Sequence, residues 1–222
     1  MSSCNADNYT NEDAVPYDRQ AREHGWHGHE VLFGLMYEFI KSGETLLDVG
    51  IGTGLGSYLF HQAGLQVSGF DRSKEMLEMC KSKGFAARLD QHDLQHVPFP
   101  YQSISFNHVI SLAVLNFFRD LAPLVEEAAR IIRPGGIFAL TVEEQKTGQP
   151  AKYVYRAAGD ALQPGAETGV NMYRHSDAHI RGLLASSGFS VLKDLEFLAD
   201  QHSTGGMNIY FKVYVAQKAE RA

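Results

Sequence analysis

The stretch Leu47-Asp48-Val49-Gly50-Ile51-Gly52-Thr53-Gly54-Leu55-Gly56 decides how the rest of this 222-residue chain is read. Thr45 to Val49 has the apolar density of a buried strand, and Gly56 to Ala63 the spacing of a helix. Glycines at a strand-to-helix turn let the backbone take positive φ and let a ligand approach without striking a Cβ. The helix that follows would point its free N–H groups at the turn. A glycine triplet also serves as a plain tight turn, so its surroundings must decide. Asp71 stands 21 residues past Gly50, at the end of the next strand. A carboxylate there can accept hydrogen bonds from both hydroxyls of a ribose. It could also cap the helix beginning near Ser73, and the two roles are compatible. Asp48 precedes the first glycine by two residues. It would be awkward beside a pyrophosphate and favourable beside a cation, which points to a cofactor bearing ammonium and sulfonium groups.

Outward from the turn, strand and helix signals alternate. Gln66 to Phe70 reads as a strand, Ser73 to Lys83 as a helix, Ala86 to Asp90 and Ser105 to Leu112 as strands. Leu121 to Ile132 reads as a helix stopping at Arg133-Pro134-Gly135-Gly136, and Ile137 to Val142 as a fifth strand. Such alternation implies parallel strands joined by crossover helices. Tyr17 to Lys41 has helical spacing interrupted by Gly25, Gly28 and Gly34, so two short helices are expected. Glu143 to Arg174 is polar, with scattered Gly and Pro. Ser176 to Ser187 reads as a helix, then Phe189 to Leu198 and Asn208 to Ala216 as an antiparallel hairpin.

Composition narrows the class. Twenty Lys and Arg against 26 Asp and Glu leave a net charge of −6 with no basic run, which argues against nucleic acid as a partner. The longest near-apolar run, Val109 to Phe118, is about half a membrane span, so no membrane partner is expected. The first fifteen residues are polar and acidic, unlike a secretory leader, and a cytoplasmic location is expected. Cys4 and Cys80 make no disulfide framework and show no metal-ligand spacing, so no metal is expected. A small-molecule substrate fits this balance, while nothing in it sets an oligomeric state.

Asp48-Val49-Gly50-Ile51-Gly52-Thr53-Gly54 resembles the first motif of the class I S-adenosylmethionine-dependent methyltransferases. Phe70-Asp71-Arg72-Ser73, with Met76-Leu77 after it, resembles their ribose-binding strand end. His92-Asp93-Leu94-Gln95-His96-Val97-Pro98-Phe99 resembles their adenine segment, and Arg133-Pro134-Gly135-Gly136 and Ser187-Gly188-Phe189 are further family hallmarks. The likeness covers residues 40–145 well and the hairpin more loosely, nearest to the small-molecule set that includes ubiquinone- and menaquinone-type enzymes. It implies a Rossmann-like α/β fold. Its seven-stranded, mostly parallel sheet would have an antiparallel C-terminal hairpin strand and helices on both faces. It implies S-adenosyl-L-methionine as cofactor, held by Asp48, Gly50, Ile51, Gly52, Thr53, Gly54, Asp71, Arg72, Met76, Asp93, Leu94 and Ser111. Asp93 would face the adenine amino group and the Leu94 N–H a ring nitrogen. Asn107, where the family has an acid, and Leu115-Asn116, in place of a Leu-His pair, depart from the pattern and touch inferences about the substrate.

The resemblance implies a division into an N-terminal tail and helical cap over residues 1–40 and a methyltransferase domain over 41–222, with 143–175 as substrate lid. Methyl transfer is an in-line displacement that rests on alignment, so no fixed triad is expected. A base is needed only where the acceptor must lose a proton. His24, His27, Asn116 and Tyr153 are the candidates beside the methyl group. The same His residues could be surface groups, Asn116 a helix cap before Asp120, and Tyr153 part of an exposed loop. Two other readings share the glycine turn. A nicotinamide-dependent oxidoreductase would have a parallel sixth strand, and a non-catalytic S-adenosylmethionine-binding sensor or assembly subunit would have a closed acceptor space.

Overall fold

The sheet grows outward from the strand that leads into the glycine turn. In the computed structural model, which describes residues 17–19, 21, 23, 25–155, 170–200 and 209–220, β1 (Thr45–Val49) lies between β2 (Gln66–Asp71) and β4 (Phe106–Ser111). With β3 (Arg88–Gln91), β5 (Ile132–Glu143), β8 (Phe189–Asp200) and β9 (Ile209–Lys218) they form one sheet of order β3-β2-β1-β4-β5-β9-β8. β1 to β5 pair in parallel, while β9 runs antiparallel to both β5 and β8. The neighbour of β5 is thus antiparallel, which goes against the oxidoreductase reading. A separate antiparallel pair, β6 (Lys152–Tyr155) and β7 (Val170–Tyr173), stands apart from the main sheet.

Period-2 alternation sends side chains from one strand into two cores. Leu47 and Val49 pack with Leu124, Val125, Ala128 and Ile131 of α4 (Ala122–Ile131) and with Ile180 and Leu184 of α5 (Asp177–Ser186). Leu46 packs on the other face with Leu32 and Met36 of α1 (Gly28–Met36), Phe60 of α2 (Tyr58–Gln62), and Leu77 and Cys80 of α3 (Lys74–Ser82). Helices therefore cover both faces. Each large side chain so buried contributes roughly 1.5–3 kcal/mol relative to exposure.

Several expectations are corrected. Gly34 does not break α1, which runs on into a 3-10 turn at Tyr37–Phe39; the break falls at Gly25, with φ +69°. Regular helix begins only at Tyr58, so α2 does not aim its amino end at the turn's glycines. α4 ends at Ile131, as expected, but β5 starts at Ile132 rather than Ile137, with Arg133 to Gly136 a bulge where pairing jumps from Phe106↔Ile132 to His108↔Ile137. Only glycine fits at Gly136, where a Cβ would stand 2.1 Å from the Asn107 carbonyl oxygen. The Asn107 side chain accepts from Thr45 N and Oγ1 and from Arg133 Nη1, tying β1, β4 and the bulge together. It lies at the amino end of β4, the edge opposite the glycine turn, and so bears on the sheet rather than on the substrate.

Candidate functional site

The site forms where the strand order reverses about β1, at the carboxyl ends of the strands, which is where open α/β sheets bind their ligands. Past Val49 the chain turns sharply, and Gly50 N and Ile51 N both donate to the Phe70 carbonyl of β2 at 3.0 Å. Gly50, Gly52 and Gly54 all have positive φ, but for different reasons. A Cβ on Gly50 would meet Val114 at 2.6 Å, and one on Gly54 would meet Phe85 at 2.6 Å and Cys80 Sγ at 2.8 Å. A Cβ on Gly52 would meet nothing within 4 Å. The outer glycines serve packing, and Gly52 alone of the three faces open space.

Asp71 fastens this turn to the next one. Its Oδ2 accepts from Gly52 N and its Oδ1 from Ser73 N, each at 2.9 Å. The α3 cap is Ser73, whose hydroxyl accepts from Met76 N, so the capping alternative for Asp71 is displaced by its neighbour. Each Asp71 oxygen keeps lone-pair capacity for a further donor. Asp48 lies at the end of β1, on the same strand face as Leu46, and is 2% exposed. Burial pushes its carboxyl up to about 7; the nearby Ser57 hydroxyl works against this and the Asp71 charge adds to it. Burial likewise raises Asp71, opposed by the Ser73 and Gly52 N–H groups and by Arg72. Two desolvated acids set close together favour a cationic ligand between or beside them.

The other cofactor candidates fall around this centre. Arg72 stands 3.8 Å from Asp93, whose other oxygen accepts from Gln95 N. Leu94 and Met76 are buried, Leu94 in the core that holds Phe70 and Phe99. Ser111 is buried and donates to the Val49 carbonyl, so its hydroxyl ties β4 to β1. Thr53 is buried and donates to Asp18 Oδ1 at 2.5 Å, while Asp18 Oδ2 takes Lys83 Nζ at 2.5 Å. Asp18 therefore straps the N-terminal segment over the glycine turn. Sequence reading missed it, because a lone acid in a polar segment carries no periodic or motif signal.

On the acceptor side the four candidates separate. His24 lies outside the described residues. His27 is at the surface, paired with Glu30 at 2.8 Å. Asn116 sits in a 3-10 turn (Leu115–Phe117) beyond β4 and is 1% exposed. It does not cap α4, whose first turn is held instead by Asp120 accepting from Ala122 N. Its Nδ2 contacts Met172 Sδ at 3.6 Å, and its Oδ1 has no partner among the described residues. Met172 is the register partner of Tyr153, so the β6–β7 pair gathers Asn116 and Tyr153 on one piece of structure. Tyr153 donates to Glu143 Oε2 at 2.5 Å, and Arg174 donates to Glu143 Oε1 at 2.6 Å with its guanidinium 4.0 Å from the Tyr153 ring centroid. Glu143 and Arg174 are both buried, and His175 extends the join through its backbone to Glu143 and Gln145. Arg174 and His175 were missed from the sequence; a polar stretch gave no hint that it folds back onto β5. Beside this pair lies a cleft of about 560 Å³ lined by Arg119, Gln145, Lys152, Tyr173, Arg174, His175, Ser176 and His179.

Comparison with known proteins places part of the chain in a described family. The methyltransferase domain family matches residues 47–140. A demethylmenaquinone methyltransferase of Oceanobacillus iheyensis is 35% identical over 125 residues, 54% of this chain and 51% of that protein. A tRNA (carboxymethyluridine(34)-5-O)-methyltransferase of Mus musculus is 32% identical over 126 residues, 53% of this chain and 18% of that protein. The chain thus spans about half the length of the first of these relatives and less than a fifth of the second. The solved structure of a methyltransferase from Methanosarcina mazei shares the fold with a TM-score of 0.69 at 17% identity, covering 84% of this chain and 98% of that one. Residues 47–140 of the chain thus match the methyltransferase domain family, on a fold shared with a solved methyltransferase structure.

Proposed function

We propose that the protein transfers a methyl group from S-adenosylmethionine to a small-molecule acceptor by in-line displacement. The observation that carries this reading is Gly52, open to space beside the Asp71 carboxylate in the turn that follows the buried Asp48. Those residues fit the donor: Asp71 keeps acceptor capacity for ribose hydroxyls, and the two acids suit a cation. Asp93 and the Leu94 N–H would hold the adenine, with Arg72, Met76 and Ser111 shaping that end. Residues 50 to 54 would hold the methionine end. S-adenosylmethionine, when bound, supplies a methyl group on a sulfonium leaving group. The chain's part is alignment, which can account for about 7–11 kcal/mol of a barrier. The Asn116 Oδ1, buried and without a described partner, can orient an acceptor O–H or N–H. The Tyr153–Glu143 hydrogen bond offers a place to hold a proton where the acceptor must lose one.

In this reading residues 1–40 act as a cap, 41–222 as the methyltransferase domain, and 143–175 as the lid over the acceptor. We place the activity in the cytoplasm; among the described residues no helix is long and apolar enough to cross a membrane. The menaquinone-type relative supports a small-molecule acceptor, and the tRNA-type relative sets the arm that must be run against it. The test is release of S-adenosylhomocysteine with panels of phenols, quinols, amines and thiols and, separately, with tRNA. Turnover of a small acceptor is expected. Turnover with tRNA alone would overturn the acceptor class, and none with any panel would favour a sensor.

A further inference from the structure

The cleft between the β6–β7 pair and the amino end of α5 has the wrong charge for this molecule. The chain carries a net charge of −6, yet among the described residues the cleft is lined by Arg119, Lys152, Arg174, His175 and His179 and by no acid. Arg174 is committed to Glu143, at 2.6 Å. Of the acids next in sequence to lining residues, Asp177 is engaged by Lys212 at 2.6 Å and by Arg181 and Tyr214 at 2.9 Å, Glu144 pairs with Lys146 at 2.7 Å, and Asp120 accepts from Ala122 N. Arg119 and Lys152 are exposed and have no acidic partner among the described residues; the Lys152 ammonium lies 6.0 Å from the Tyr173 ring centroid. The ten-residue helix α5 opens here, with Ser176 Oγ accepting only the His179 N–H of its first turn. His175 also lines the cleft and is 4% exposed, its Nε2 buried and without a partner among the described residues.

The cleft is also joined to the glycine turn by packing. Val114 touches the turn at Gly50, Asn116 follows two residues later and contacts Met172, and Tyr173, next in chain, lines the cleft. Its volume of about 560 Å³ suits a small molecule. We propose that this cleft holds an anionic group of the methyl acceptor, a carboxylate or phosphate, with Arg119 and Lys152 supplying charge and His179 and the α5 amino end supplying donors. This names the acceptor class for the reading above and rests on it.

The test is a titration of the full chain, saturated with S-adenosylhomocysteine, followed by backbone and histidine-ring NMR. The probes are inorganic phosphate, benzoate and, as neutral control, benzamide. Saturable shifts at residues 175, 176 and 179 are expected with phosphate or benzoate and not with benzamide. The tighter anion tells a phosphate acceptor from a carboxylate one. Arg119→Ala with Lys152→Ala should weaken the anion about tenfold, as loss of a charge-assisted hydrogen bond implies, while affinity for S-adenosylhomocysteine stays unchanged. Lys152→Glu alone provides a second variant should the double one fold poorly. No saturable shift, equal shifts with benzamide, or anion binding unaltered in the variants overturns the proposal. Failure of S-adenosylhomocysteine to bind in the same sample counts against the methyl-donor reading instead, and leaves the anion titration readable.

Discussion

Gly50 and Gly52 differ in what a methyl group would meet, and this separates stability from binding at single residues. Gly52→Ala places its Cβ in open space at φ +53° and should cost about 1–2 kcal/mol of backbone strain while reducing donor affinity. Gly50→Ala adds a clash with Val114 at 2.6 Å and should cost about 2–4 kcal/mol. Thermal melts beside calorimetry read the two apart. Asp48 makes a pH prediction. Its folded carboxyl keeps a proton to about pH 7, whereas the unfolded chain releases it near 3.8, so its contribution to stability falls as pH rises between those values. Above that window the buried carboxylate is charged and favours a sulfonium. Affinity for S-adenosylmethionine should therefore rise through about pH 7 more steeply than affinity for S-adenosylhomocysteine. Asp48→Asn should remove that slope and stabilise the ligand-free protein by about 1–3 kcal/mol at pH 8, measured by denaturant melts.

At the scale of elements, the β6–β7 pair is held to the end of β5 by the buried Glu143–Arg174 ion pair, the Tyr153–Glu143 hydrogen bond and the His175 backbone bonds to Glu143 and Gln145. Glu143→Gln leaves the Arg174 guanidinium, 8% exposed, without its counter-charge, which costs about 3–5 kcal/mol. The loss should appear as faster amide exchange at residues 152–155 and 170–173, with β1 to β4 unchanged. This element was not legible beforehand. Its strands are four residues long, too short to register a period against the Gly and Pro around them. β1, β2, β4 and the second half of β5 were legible, because their apolar runs reflect burial on both faces of a parallel sheet. The Arg133–Gly136 segment does follow a helix end, but its bulge in β5, where the Asn107 carbonyl leaves no room for a Cβ on Gly136, has no local signal.

At the scale of the whole molecule, the N-terminal segment belongs to the core as well as to the site. Leu32 and Met36 of α1 are fully buried with Leu46 and Phe60, so Leu32→Ala should cost about 2–5 kcal/mol in chemical denaturation. The glycine turn and its spaced acids were legible because strand ends fix their spacing along the chain. The Asp18 strap and the Glu143–Arg174 join were not, since each pairs residues far apart in sequence that only the fold brings together. In the proposed function the glycine turn and Asp71 form the methyl-donor site. Calorimetry of the full chain with S-adenosylhomocysteine, wild type against Asp71→Ala, decides this. Saturable micromolar binding that weakens about tenfold or more in the variant is expected. Absence of binding at high micromolar ligand, or equal binding by the variant, would contradict it.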